Sequence, residues 1–307
     1  MSVIAIAGVG LFVASLALLI QQTSLDLWQD VGIALIIGYL PSYLEPSPTT
    51  ASGRFWPWWA LQDWRWVLPF VKKSGLHFEA PLTSDKQYVI AAHPHGMASY
   101  HHGVLMGNIS TPKFRDVVGE NRRHLGASIV FRIPVYREIM LFFGVVDASR
   151  RVANAVLKSG KTLVILVGGV IEQMMAERGK HLVYAKKRKG HCKLAIQHGV
   201  PVVPVYCFGE TDTYDCSTFM LPFRQWVAKK FSIALTICSG PYWWFPAYPF
   251  DVEFHHVFGK PIETTKNENP TQEEIDRVHS QYVAELERIF HKYKAQFGHP
   301  DATLTVC

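Results

Sequence analysis

Two imidazoles, His93 and His95, close a short apolar run from Tyr88 to Ala92, with Pro94 between them and Gly96 behind. Aromatic and β-branched residues make that run a buried strand, ended by a proline that cannot donate to a ladder and a glycine that permits a sharp turn. Imidazole, with an ordinary pKa of about 6.5, can take or give a proton near neutrality. Strict alternation would place both rings on one face. Pro94 interrupts it, so one ring is expected to reach a substrate. The chain has 14 histidines, and four of them (His93, His95, His101, His102) crowd into this one Gly-punctuated segment. A zinc site would draw three or four ligands, commonly with a thiolate or carboxylate among them. Between Asp85 and Asp116 there is no acidic residue and no cysteine. The segment therefore reads as a proton-transfer site, and no metal is expected.

Other elements must bring partners to these rings. Thr162 to Val167 is a second compact strand, running into Gly168 and Gly169, and Val200 to Phe208 is a third, running into Gly209 and Glu210. Met97 to Gly107, Arg151 to Lys158 and Lys193 to His198 read as helices, the last stopped by Gly199. Strand and helix alternate, which predicts an α/β fold with a mostly parallel sheet and flanking helices. Ligands in such sheets gather beyond the carboxyl ends of strands. Three ends are marked by residues capable of chemistry: His93 to Gly96, Gly168 to Glu172, and Gly209 to Glu210. A last helix opens with a capping box, Thr271 with Glu274, and carries Ile275, Val278, Tyr282, Leu286, Ile289 and Tyr293 on one face. Gly298 is its expected stop. Gly160-Lys161-Thr162 is no P-loop, because Ala155 stands where a glycine is needed and a strand follows. No GxSxG is present.

Val3 to Ile20 is uncharged, and as a helix would be about 27 Å long, close to the hydrocarbon thickness of a bilayer. A second apolar run, Val31 to Leu40, stops at Pro41. No Lys or Arg precedes Arg54, so a retained anchor fits better than a cleaved signal peptide, and the basic body is expected on the cytosolic side. The stretch RFWPWWALQDWRWVLPF, Arg54 to Phe70, holds five of the nine tryptophans and suits a membrane interface. The expected organisation is a membrane helix or hairpin over 1–45, an interfacial aromatic segment over 46–75, and a catalytic domain over 76–307. Whether the aromatic Pro241 to Phe250 lines a lipid entrance or packs as a loop is open. Five cysteines without a CxxC pair suggest no disulfide framework and a reducing compartment. A net charge of +6 without a nucleic-acid motif points to anionic headgroups or an anionic co-substrate rather than nucleic acid.

The blocks His93-Pro94-His95-Gly96, Phe131-Arg132-Ile133-Pro134 with Arg137-Glu138, Gly168-Gly169-Val170-Ile171-Glu172, Arg188-Lys189-Gly190 and Phe208-Gly209-Glu210 stand in this order. With Gly259-Lys260-Pro261-Ile262 and Asn269-Pro270-Thr271-Gln272, they resemble the type-2 diacylglycerol acyltransferase family, which includes monoacylglycerol and wax-ester-forming relatives. The resemblance covers about Arg54 to Val306. His191 departs from it, since the family commonly has Phe there. It implies an enzyme of the endoplasmic reticulum membrane, also found at lipid droplets, that esterifies the hydroxyl of diacylglycerol or another lipid alcohol from acyl-CoA. No cofactor is implied, acyl-CoA being a co-substrate, and a homo-oligomer is compatible with it.

Acyl transfer from a thioester needs a base for the acceptor hydroxyl and donors for the developing oxyanion. His95 is the expected base, with His93 orienting the segment or binding the carbonyl, and Glu172 holding the imidazole tautomer or the acceptor hydroxyl. Substrate contacts are expected at Pro94, Gly96, Arg132, Gly168, Gly169, Arg188, Lys189, Gly190 and Glu210. The basic run Lys186 to Lys189, with Lys193, suits the phosphates of CoA. A non-catalytic lipid-binding scaffold and a metal-dependent hydrolase are the alternatives, and the intact His, Glu and Gly blocks favour the enzyme.

Overall fold

The computed structural model describes residues 27–231 and 234–307. The chain divides into two compact units, one ending at Ser47 and the other running from Pro48 to Cys307. In the first, helix α1 spans Leu27–Leu44 with Pro41 inside it. It thus continues past the proline expected to stop it. Proline removes one backbone donor, and at this position the loss falls in the last turns, where little helix remains to be disrupted. Leu35, Ile36, Leu40 and Leu44 are exposed, so the helix lacks the polar face of an ordinary surface helix. No helix among the described residues is long and apolar enough to cross a membrane. The expected span Val3 to Ile20 lies outside the described residues.

The second unit is built on a seven-stranded sheet. Its strands are β1 (Val71–Phe78), β2 (Val89–His93), β3 (Arg122–Gly126), β4 (Val145–Asp147), β5 (Thr162–Leu166), β7 (Val202–Phe208) and β10 (Val252–Phe258), in the order β1-β10-β7-β2-β5-β3-β4. All neighbours are parallel except β10 and β7. The expectation of a mostly parallel sheet holds, with two strands on one edge reversed. Short β6 (His181–Val183) pairs with β11 (Leu304–Val306), and β8 (Asp215–Cys216) with β9 (Cys238–Ser239).

The central strand β2 is buried on both faces, which requires an apolar run rather than alternation. Val89 and Ala91 pack on one face into the larger core, with Val152 and Val156 of α6 (Arg150–Lys158), Ala195 of α8 (Gly190–His198) and Tyr282 and Leu286 of α10 (Gln272–Tyr293). Ile90 and Ala92 face the other way, toward Leu105 of α3 (Tyr100–Met106) and Phe114 of α4 (Phe114–Val118). The remaining helices are α2 (Pro57–Ala60), α5 (Tyr136–Phe142), α7 (Gly169–Met174) and α9 (Leu221–Phe231).

Helix α10 begins with the expected capping box at Thr271 and Glu274; its regular part ends at Tyr293, and a further turn carries the chain to the expected stop at Gly298, φ +86°. Within that turn the Phe297 ring stacks on His255, with centroids 4.2 Å apart. Cys216 and Cys238 form a disulfide, contrary to the cysteine reading. The spacing of the two cysteines conceals their pairing, because β8 and β9 are juxtaposed only after the chain has passed through α9. In the aromatic segment Trp56 packs on Phe142 of α5 and Trp59 on Trp64, while Trp58 and Trp66 are 57% and 75% exposed.

Candidate active site

Strand β2 delivers His93 fully buried at its carboxyl end, and β5 leads through Gly168 into the short helix α7, which carries Glu172. The two side chains meet. His93 Nδ1 lies 2.8 Å from Glu172 Oε2 and 3.0 Å from Oε1. The same carboxylate accepts the backbone N–H of His95 at 2.5 Å and of Tyr184 at 2.6 Å. One carboxylate thus joins three segments. Burial pushes the Glu172 pKa up, but His93 and the N–H groups of Tyr184 and His95 outweigh it, so the pKa is lowered and the group is ionised at neutral pH.

Such an anion must have room. A Cβ at Gly168 would run into the Glu172 carboxylate, and one at Gly96 into that of Glu210. Gly96 also has φ +64°. These two glycines are therefore required by the carboxylates behind them. Glu210, beyond the end of β7, is itself buried. Its Oε2 accepts from the His101 N–H at 2.9 Å, and its Oε1 has no hydrogen-bond partner. Burial raises its pKa to about 8.

His95 differs from His93 in being part-exposed. Its Nδ1 lies 3.0 Å from Ser99 Oγ and 3.1 Å from the Gly96 carbonyl oxygen. Ser99 Oγ also donates to the His95 carbonyl at 2.9 Å. A hydroxyl has one proton, so with that proton on the carbonyl, Ser99 Oγ accepts from His95. The imidazole therefore carries its proton on Nδ1 and presents a lone pair on Nε2. Burial lowers the His95 pKa below 6.5, against the Gly96 carbonyl and the Glu172 charge, which raise it. Ser99 was not anticipated from the sequence. A serine four residues after the second histidine, in a turn, was the available signal.

The expected partnership of Glu172 with the imidazole of His95 is corrected: the carboxylate holds the ring of His93 and only the backbone of His95. Pro94 and Gly96 lie within this cluster, and Gly169 opens α7 at φ +57°. Arg188 leans toward it, with Nη2 3.4 Å from the Gly168 carbonyl oxygen and the guanidinium 5.2 Å from the Tyr184 ring centre. Lys189 is engaged elsewhere, 2.7 Å from Asp276. Gly190 is an exposed helix start. Arg132 is exposed at the end of the turn Ser128–Arg132. His191 is buried edge-on against Tyr282, with centroids 4.6 Å apart. The ring serves there as an aromatic filler behind His93. His102 pairs with His124 of β3 at 2.7 Å, while the backbone N–H of His101, rather than its ring, meets Glu210.

The family model for diacylglycerol acyltransferase matches residues 33–307. The chain is 32% identical to human 2-acylglycerol O-acyltransferase 3, over 73% of this chain and 69% of that protein. It is 30% identical to diacylglycerol O-acyltransferase 2 of Xenopus laevis, over 94% of this chain and 82% of that protein. Among solved structures, the 1-acyl-sn-glycerophosphate acyltransferase PlsC of Thermotoga maritima aligns with a TM-score of 0.42 and 17% identity, over 70% of this chain and 72% of that one. With its family model matched over most of its length, this chain belongs to the diacylglycerol acyltransferase family and is an acyltransferase.

Proposed function

We propose that this acyltransferase moves the acyl group of acyl-CoA to the free hydroxyl of diacylglycerol, with His95 as general base. Nε2 of His95 takes the hydroxyl proton as the acceptor oxygen attacks the thioester carbonyl. The tetrahedral intermediate then expels the CoA sulfur, which recovers the proton from the imidazolium, and the ester and free CoA leave. The observation that carries the catalytic part is the hydrogen bonding of His95: Ser99 and Gly96 occupy Nδ1, leaving the lone pair on Nε2 of a part-exposed ring. Lowered basicity keeps that ring neutral at pH 7, the form a base needs. His93 and Glu172 form the rigid floor under it. Arg188, beside Gly168, is the cation placed to meet acyl-CoA, while Lys186 and Lys187 are exposed for its phosphates.

The acceptor is inferred from the names of the relatives, which include both diacylglycerol and 2-acylglycerol enzymes. Monoacylglycerol and fatty alcohols are the other acceptors to test. The exposed apolar side chains of α1 and the exposed tryptophans support attachment to a membrane; the endoplasmic reticulum, with the catalytic unit facing the cytosol, is what the family resemblance and the basic body suggest for it. A second reading makes His93 the base. It is favoured by the carboxylate on His93 Nδ1 and by its Nε2, which is buried without a hydrogen-bond partner.

The test uses microsomes from a triacylglycerol-deficient host expressing wild type, His95→Ala or His93→Ala, given labelled acyl-CoA with diacylglycerol, monoacylglycerol or hexadecanol. Label in triacylglycerol that disappears with His95→Ala supports the proposal. Label in diacylglycerol or wax ester changes the acceptor. Full activity in His95→Ala transfers the base to His93, and no product with any acceptor overturns the reading.

A further inference from the structure

Outside the catalytic cluster, three buried groups converge on the opposite face of the sheet. Cys207 of β7 and His256 of β10 are direct cross-strand partners in the antiparallel pair, so their side chains leave the same face. His101 of α3 covers them. The ligand atoms of the three residues lie within 4.8 Å of one another. All three residues are at most 1% exposed.

The hydrogen bonding of this cluster is incomplete. Neither ring nitrogen of His101 has a hydrogen-bond partner, and neither does His256 Nδ1. His256 Nε2 is spent on the His101 carbonyl at 3.1 Å, and the Cys207 thiol donates to the Phe208 carbonyl at 3.4 Å. A neutral imidazole always carries one N–H and one lone pair. No donor reaches the His101 lone pair, which is therefore buried unmet. Native interiors avoid this, and a bound ion is one of the few ways to resolve it.

We propose that His101, Cys207 and His256 form a binding site for a thiophilic d10 cation, Zn2+ or Cu+. Two imidazole nitrogens and one sulfur are the donor set such ions prefer. The cation replaces the thiol proton, which leaves to solvent during assembly, and binds one ring nitrogen each of His101 and His256. With Cu+ and one thiolate the three-donor set is neutral, which suits a site without water. With Zn2+ one further ligand is needed beyond these three side chains. Metal–ligand distances of about 2.0–2.3 Å would draw together donors that already lie within 4.8 Å of one another. Occupancy would tie α3 to β7 and β10 behind the active site. The local sequence around His101 hid this possibility, because the thiolate and second imidazole come from strands much later in the chain.

The experiment is elemental analysis for zinc and copper on the full chain, purified in detergent through a tag without histidine and without chelators, in wild type, Cys207→Ser and His256→Gln. Wild type is expected to hold about one metal per chain, and each variant to lose affinity by at least about ten-fold. X-ray absorption at the edge of the bound element should show one sulfur and at least two nitrogen or oxygen ligands. That measurement decides the matter alone if the variants fail to fold. Wild type that remains metal-free after reconstitution with Zn2+ and with Cu+ under reducing conditions overturns the proposal, as does a metal whose shell lacks sulfur. The element found distinguishes the two cations.

Discussion

The carboxylate of Glu172 sits 2.8 Å from Nδ1 of His93, and both side chains are almost completely excluded from solvent. Because the same carboxylate also takes two backbone N–H groups, its removal is a structural event as well as a catalytic one. Glu172→Gln preserves shape but places an amide NH2 against these donors. The expected cost is about 1–3 kcal/mol in denaturant unfolding, together with a loss of acyl transfer of about 100-fold or more. Unchanged unfolding would show that the buried pair is not formed.

His93 and His95 should separate by their effects. His95→Ala is expected to lower kcat by about 10²–10⁴-fold and to leave stability nearly unchanged, since the ring is part-exposed. His93→Ala leaves Glu172 buried without its partner and should cost about 3–5 kcal/mol. Thermal unfolding beside product formation in the same membranes distinguishes the two.

Three glycines offer a graded steric test. Gly96→Ala combines a left-handed backbone with a Cβ driven into Glu210, while Gly168→Ala drives one into Glu172. Both should abolish activity and lower Tm. Gly160, at φ +73°, has no heavy atom within 4 Å of an added Cβ, so Gly160→Ala should cost only the backbone term, about 1–2 kcal/mol.

For His95, burial favours the neutral ring. The base is therefore ready above a pKa that lies below 6.5, and kcat/KM should rise with pH to a plateau with its midpoint below that value. Ser99→Ala removes one acceptor from the Nδ1 proton and loosens the tautomer. A several-fold fall in kcat with little change in KM is expected, whereas a purely structural role would leave the pH profile and kcat in place once folded protein is matched.

Glu79 links β1 to α10 through Lys292 at 2.7 Å, Tyr293 at 2.6 Å and Arg288 at 2.9 Å. Hydrogen bonds from Lys292 and Tyr293 chiefly lower its pKa from 4.5 to about 2. The folded state thus binds the proton less readily than the unfolded state. Its contribution to stability is present above pH 4.5 and is lost as pH falls toward 2. Glu79→Gln should flatten the Tm profile over that interval, and an unchanged acid limb would show that the contacts contribute nothing.

Much of the scaffold was determined by local sequence. The apolar runs of β2, β5 and β7 could only be buried strands. Thr271 and Glu274 marked the start of α10, and Gly199, at φ +67°, ended α8, because these signals act within a few residues through hydrogen bonding and backbone sterics. His93, His95, Glu172 and Glu210 were visible as strand-end chemistry for the same reason. Their pairing was not. Which imidazole faces Glu172 depends on where α7 settles after β5, and the role of Ser99 depends on the turn that returns its hydroxyl to His95. The disulfide of Cys216 with Cys238, and the meeting of His101 with Cys207 and His256, depend on strand register between distant segments. Register is decided by burial and packing across the whole sheet, and no short stretch of sequence contains that information.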